Sequence, residues 1–215
     1  MTDVWVTGMG LRCALGSTLP QSWQALLKGT CGIKPQAPFA KLSSYPLGLI
    51  SNAPTQLTPL IAAVLEEAIA DACFPPNLDP STRWGVAVGS SRGYQADLEK
   101  LMGSGRVSDA TLEASWLNLY GQSPAVQIAQ QLRQTGPVLS PRAACATGIW
   151  AIAQAVELIQ TGQCDVVITG AAEAPITPLT LAGFQNMGAL SKSGAFPFDR
   201  QRSGFAEGTH ILEPS

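Results

Sequence analysis

Apolar positions along this chain fall into short extended runs that alternate with stretches of helical spacing. Residues Asp3 to Thr7 form a β-rich run that ends at Gly8, which predicts a strand and a turn. From Leu19 to Gly29 the spacing predicts a helix, with Trp23, Leu26 and Leu27 on one apolar face and Gly29 as its stop. Residues 31–55 read as loop, with prolines at 35, 38, 46 and 54. Thr58 is placed to cap a helix entered at Pro59, in which Leu60, Ile61, Val64, Leu65, Ala68 and Ile69 recur at helical spacing. Three prolines between Cys73 and Ser81 break that helix.

The second half repeats the alternation. Trp84 to Val88 predicts a strand, and 93–107 reads as a polar insertion containing a helix. Ser123-Pro124 opens a helix that runs to about Leu132, and Val138 to Ala143 predicts a third strand. Ile149, Ile152, Ala153, Val156 and Ile159 then form a helical stripe that Trp150 widens and Gly162 ends. Val166 to Thr169 is apolar enough for a central strand, and His210 to Glu213 predicts a short edge strand. Strands alternating with helices argue an α/β layered domain.

Composition narrows the function classes. The chain has 215 residues, enough for one sizeable core, with 46% hydrophobic and 13% charged residues. A net charge of -2 with no basic stripe argues against nucleic acid. No apolar run approaches the roughly 18 residues that cross a bilayer, and no signal-peptide pattern opens the chain. The five cysteines include no Cys-x-x-Cys, and one histidine leaves little for a Cys/His zinc site, so a reduced, cytoplasmic setting without metal is expected.

Candidate chemistry centres on Cys145. It stands where the third predicted strand meets a helix, among Ala143, Ala144, Ala146 and Gly148, whose small side chains leave the sulfur approachable. A group at that junction faces unpaired backbone N–H groups and the positive end of the helix dipole, which favour an anion. The competing reading is an inert buried thiol. Gly89-Ser90-Ser91-Arg92-Gly93 is a rival, because it fits the strand–turn–helix elbow of a serine hydrolase, with Asp199 and His210 available in chain order. Its plain reading is a tight turn. Gly8-x-Gly10 lacks the third glycine of a dinucleotide loop. His210 reads as a strand or surface histidine, and Trp23, Trp84, Trp116 and Trp150 as core or interface packing.

Five landmarks carry a resemblance. They are Val4-Trp5-Val6-Thr7-Gly8-Met9-Gly10; Trp23 to Gly29 with Cys31-Gly32-Ile33; Ala144-Cys145-Ala146-Thr147-Gly148; Asp165 to Glu173; and Pro197-Phe198-Asp199-Arg200 with Gly204-Phe205. In this order they resemble the amino-terminal half of the β-ketoacyl-acyl-carrier-protein synthases. The resemblance implies one thiolase-like half over residues 1–215, with helices layered around a mixed five-stranded sheet. It implies an acyltransferase of fatty-acid or polyketide synthesis in which Cys145 takes an acyl group as a thioester. Phe184 would line the acyl pocket, and the turn from Ser91 to Gly93 another part of it, which makes Arg92 an unexpected wall. The implied partners are an acyl carrier protein, an acyl-thioester substrate, and a second copy or companion subunit that pairs along 138–142. No cofactor is called for.

The chain also departs from that pattern. The family's two further histidines, or histidine and asparagine, have no counterpart, and the Gly204 to Glu213 stretch is short. Thr58 to Ala70 holds no Lys or Arg for a carrier protein, which leaves Arg106, Arg133 and Lys192 as substitutes. Three readings therefore stand: an acyl acceptor at Cys145, a non-catalytic partner of a complete synthase, and a hydrolase using Ser91.

Overall fold

The computed structural model describes residues 2–40, 42–50, 54, 56–74, 81–103 and 123–214. Its main sheet contains β1 (Met9–Arg12), β4 (Trp84–Gly89), β5 (Val138–Leu139), β6 (Val166–Glu173) and β8 (His210–Pro214), in the order β1-β8-β6-β4-β5. β4 is parallel to β5 and β6, while β8 is antiparallel to β6 and β1. The sheet is thus mixed and five-stranded. A second sheet joins β2 (Lys34–Gln36), β3 (Tyr45–Gly48) and β7 (Glu207–Gly208).

Side-chain alternation on β4 and β6 sends different residues to the two faces. Val86, Val88, Ile168 and Ala172 meet α2 (Leu57–Asp71) and α4 (Ser123–Leu132) through Ile61, Val64 and Ile128. Ala87 and Val167 face the other way and meet α5 (Thr147–Gln160) through Ala155 and Leu158. α5 can approach closely because the strand beneath it is small. A Cβ on Gly85 would stand 2.7 Å from Cys164 Sγ, and one on Gly89 would stand 2.3 Å from Pro141 O and Thr147 Cγ2. A third cluster packs Leu47 and Leu49 around β3 against Ile176 and Leu181 at the start of α6 (Pro178–Asn186). Among the described residues the remaining helices are α1 (Leu19–Leu27) and α3 (Gln95–Gly103).

Several expectations are corrected. The run Asp3 to Thr7 is not a strand, and Gly8 does not turn the chain; pairing starts at Met9. The two glycines instead let β1 cross α2 at contact distance, since added Cβ atoms would lie 2.4 Å from Ala68 O and Val64 O. The stretch 31–55 holds two strands, β2 and β3. Pro35 and Pro46 face each other across that ladder, and a facing pair loses no bond where it occupies a non-hydrogen-bonded position. The third predicted strand pairs only over Val138–Leu139. α2 starts at Leu57 after Gln56, and the Thr58 hydroxyl donates to Tyr94 Oη at 3.3 Å rather than capping.

Two helical faces also turn out differently. α1 buries Ser22 and leaves Trp23, Leu26 and Leu27 exposed. Its anchorage is polar, because the Leu19 N–H donates to Glu67 Oε1 at 2.7 Å. α5 buries Thr147, Ala151, Ala155 and Leu158, while Ile149 and Trp150 are 73% and 55% exposed. Close approach to a sheet floored by Gly85 and Ala87 selects the small side of the helix, so the larger residues point away. The strand at His210 is not an edge, since β1 lies outside it. Trp84 is buried, Trp23 and Trp150 are mostly exposed, and Trp116 lies outside the described residues.

Candidate active site

Cys145 sits in a single 3-10 turn, Ala144–Ala146, between β5 and α5. The chain enters the turn through Ala144 at φ 49°, a left-handed conformation that a non-glycine residue adopts at a cost of about 1–2 kcal/mol. Buried Thr147 offsets that cost. Its hydroxyl donates to Ala144 O at 2.7 Å and accepts from the Ala143 N–H at 3.0 Å. The Ala146 N–H closes on Ala143 O at 2.9 Å. The turn is therefore rigid and holds the Cys145 side chain outward, where it is exposed. Among the described residues no acceptor meets the Cys145 N–H.

The thiol lines a cleft of 790 Å³ that also takes in Arg92 and Phe184, so the three sequence-derived site residues share one cavity. Arg92 stacks over Phe184 with Cζ 4.9 Å from the ring centroid, and Phe184 meets Phe205 edge-on at 4.9 Å. Ile149 and Ile152 supply apolar wall from α5.

Two carboxylates in the cleft were not singled out from the sequence. Buried Glu173, at the end of β6, accepts from the Ser91 N–H through Oε1 and from Ser90 Oγ through Oε2 at 3.5 Å. It fixes the turn after β4, which Ser90 Oγ tightens by accepting from the Gly93 N–H at 2.8 Å. Glu207 also lines the cleft. Burial pushes its carboxyl above the ordinary range and Glu173 adds to this, while the Gly208 N–H and Arg92 pull the other way. In the sequence Glu173 closes a landmark run and Glu207 falls in the short Gly204 to Glu213 stretch, and neither is marked as a site residue. Their meeting depends on β6 and β7 arriving from different sheets, which no local pattern encodes.

Of the rival constellation, Asp199 accepts through Oδ1 from the Gln201 N–H at 2.7 Å in an exposed turn. The His210 side chain lies outside the described residues. Of the cationic candidates for a carrier protein, Lys192 and Arg133 are exposed, and Arg106 is outside the described residues.

The sequence profile of the family described as "Beta-ketoacyl synthase, N-terminal domain" matches residues 51–210. The chain belongs to this β-ketoacyl synthase family. A 3-oxoacyl-[acyl-carrier-protein] synthase 2 of Vibrio cholerae is 32% identical to the synthase domain described here, over 95% of this chain and 55% of the relative. The tetracenomycin polyketide synthase ketoacyl synthase alpha subunit of Streptomyces glaucescens is 28% identical, over 95% and 55%. Among solved structures, a type II polyketide ketosynthase bound to a hexaketide, in complex with its acyl-carrier protein, matches with a TM-score of 0.82. It is 24% identical, over 97% of this chain and 56% of that one, and so supports the thiolase-like fold alone. This synthase domain spans about half the length of the curated relatives it matches.

Proposed function

We propose that residues 1–215 are the cysteine-bearing half of an acyl-condensing enzyme of fatty-acid or polyketide synthesis, with Cys145 as the acyl acceptor. The observation that carries this is the placement of Cys145. An exposed thiol stands on a braced left-handed turn at the mouth of α5, in a cleft with apolar walls. In the acylation step the Cys145 sulfur attacks the carbonyl of an acyl thioester. The new C–S bond forms, the bond to the carrier thiol breaks, and the proton from Cys145 passes to the departing sulfur. The Cys145 N–H donates to the carbonyl oxygen while it carries negative charge, a contribution of the kind worth roughly 100-fold in rate. Covalent capture splits one difficult displacement into two easier ones.

Condensation asks for more. Loss of CO₂ from a malonyl thioester leaves a carbanion, which attacks the acyl carbon: the C–C bond forms, the bond to the Cys145 sulfur breaks, and the departing thiolate takes a proton from water. Groups that stabilise that carbanion are each worth roughly 100-fold or more. This chain offers one histidine, His210. The carrier-protein complex of the related ketosynthase supports an acyl carrier protein as donor, and a second copy or companion subunit is the pairing partner on this reading. A reducing, cytoplasmic setting suits the free thiol.

The test is acyl transfer to the chain, followed by intact mass and peptide mapping. Slow acylation of wild type, retained in Ser91→Ala and lost in Cys145→Ala, is the expected result. With malonyl-carrier protein added, no β-ketoacyl thioester should form from the isolated chain. Acylation that survives Cys145→Ala removes the reading, and condensation by the chain alone removes its second half.

A further inference from the structure

A cleft of 720 Å³ lies between the segment that enters β3 and the end of α6, and it shares no lining residue with the Cys145 cleft. Ser43, Ser44, Tyr45, Gln185, Lys192 and Ser203 supply its polar side chains. Among the described residues no carboxylate lines it.

Two of these groups are set from below. Tyr45 is 4% exposed, with its ring in the core cluster of Leu47, Ile176 and Leu181. Its Oη finds no hydrogen-bond partner among the described residues, and it is not sealed in, so it opens on the cleft. A buried phenol normally has a partner. Ser203 is placed by Ser191, which is 1% exposed. The Ser191 Oγ accepts from the N–H groups of Ser193 at 3.3 Å and Gly194 at 3.2 Å. Both lone pairs are then used, so the Ser191 O–H donates to Ser203 Oγ at 3.1 Å. The Ser203 O–H is left to donate elsewhere. Exposed Lys192 makes no ion pair among the described residues.

All six side chains can donate a hydrogen bond, and an ammonium can do nothing else. A ligand that only accepts satisfies them together, and an ammonium without a carboxylate beside it favours a negative one. The end of α6 reaches the cleft through Gln185 and Gly188, and a helix C-terminus repels anions. That repulsion is blunted here, because Gly183 O, Phe184 O and Gln185 O already accept from the N–H groups of Met187, Ala189 and Gly188. Three phosphate oxygens take more donors than the two of a carboxylate. The volume is that of a small-ligand pocket and exceeds a phosphate group alone. Buried Leu190 gives an organic remainder its apolar contact.

We infer that this cleft binds a small phosphate monoester: Tyr45, Lys192 and Ser203 hold the phosphate, and Leu190 meets the organic part. The site is separate from the chemistry assigned to Cys145 and stands without it.

The test titrates the full ¹⁵N-labelled chain with phenyl phosphate at physiological ionic strength, where attraction between exposed charges is screened beyond about 8 Å. Saturable shifts are expected at the amides of Ser44, Lys192 and Ser203. Lys192→Gln and Tyr45→Phe should each raise Kd about tenfold or more, as loss of a hydrogen bond to a charged group does. Tyr45→Phe keeps the ring in the core and removes the hydroxyl alone. Cys145→Ala should bind as wild type does. Arg200→Gln, an exposed change on the neighbouring segment, should leave Kd unchanged. Inorganic phosphate should bind more weakly than phenyl phosphate, and neutral benzyl alcohol should shift none of these amides. Absence of saturable shifts overturns the inference, as does a Kd that neither Lys192→Gln nor Tyr45→Phe changes. A loss in Arg200→Gln equal to that in Lys192→Gln overturns it too, because the attraction is then diffuse. Benzyl alcohol binding as tightly as phenyl phosphate removes the phosphate, and inorganic phosphate doing so removes the ester.

Discussion

At the scale of the residue, the surroundings of the thiols separate Cys145 from the others. Cys145 stands exposed at a helix mouth with small neighbours. Cys31 and Cys73 are exposed too, but their thiols point at carbonyls, Ile33 O at 3.7 Å and Ala70 O at 3.6 Å. Cys164 is 2% exposed beneath Gly85, and burial pushes its thiol up. Thiolate supply and access together set alkylation rate. Limiting iodoacetamide with timed quenching should therefore modify Cys145 first, Cys73 later and Cys164 last. Faster labelling of Cys73 than of Cys145 would count against the nucleophile. The position of Cys145 was legible in the sequence because strand, small-residue turn and helix are consecutive there. The role of Thr147 in bracing the turn was not, since a threonine two residues on has no pattern that separates a brace from a surface hydroxyl.

At the scale of the element, α1, α2, α4 and α5 were legible from their helical spacing, and β4 and β6 from continuous apolar runs. What escaped were α6, which no spacing announced, and elements defined by pairing. β2 and β3 are three and four residues of loop-like composition, and only β7, from the far end of the chain, gives β3 its second neighbour. The exposed stripes of α1 and α5 show the same limit. Spacing reveals an apolar face, and what covers it is a tertiary fact. One junction between elements makes a pH prediction. Asp165, just before β6, accepts from Arg83 N, Nε and Nη2, just before β4, and its pKa is held down to about 2 by these bonds. A carboxylate whose folded pKa lies below its unfolded one contributes stability above the unfolded value, near 4, and loses it as pH falls toward 2. A carbon-detected NMR titration should place the Asp165 midpoint near 2. In Arg83→Ala the midpoint should rise toward the ordinary aspartate range, held below it by the backbone N–H that remains, and one that stays near 2 would show that the side-chain pair is not the cause.

At the scale of the whole molecule, the outward faces argue for association. Ile149 and Trp150 on α5, Leu179 on α6 and Val138 at the β5 edge are all exposed. Apolar surface on this scale is usually covered by a partner. Light scattering at micromolar concentration should show a dimer or larger species, and a stable, cooperatively melting monomer would contradict it. The sheet order has a consequence for synthesis. Met9 pairs with Pro214, and among the described residues β8 is the hydrogen-bonded neighbour of β1. A chain emerging from the ribosome thus makes β1 before the strands and helices that separate it from β8, and can pair the two only after those have emerged. The open edges of β1 and β6 await the same segment, and contacts so distant in sequence form slowly. Unpaired edges held open that long invite pairing with other chains. Translation speed and holding chaperones, more than the equilibrium between folded and unfolded chain, should govern how much of this protein reaches its native state.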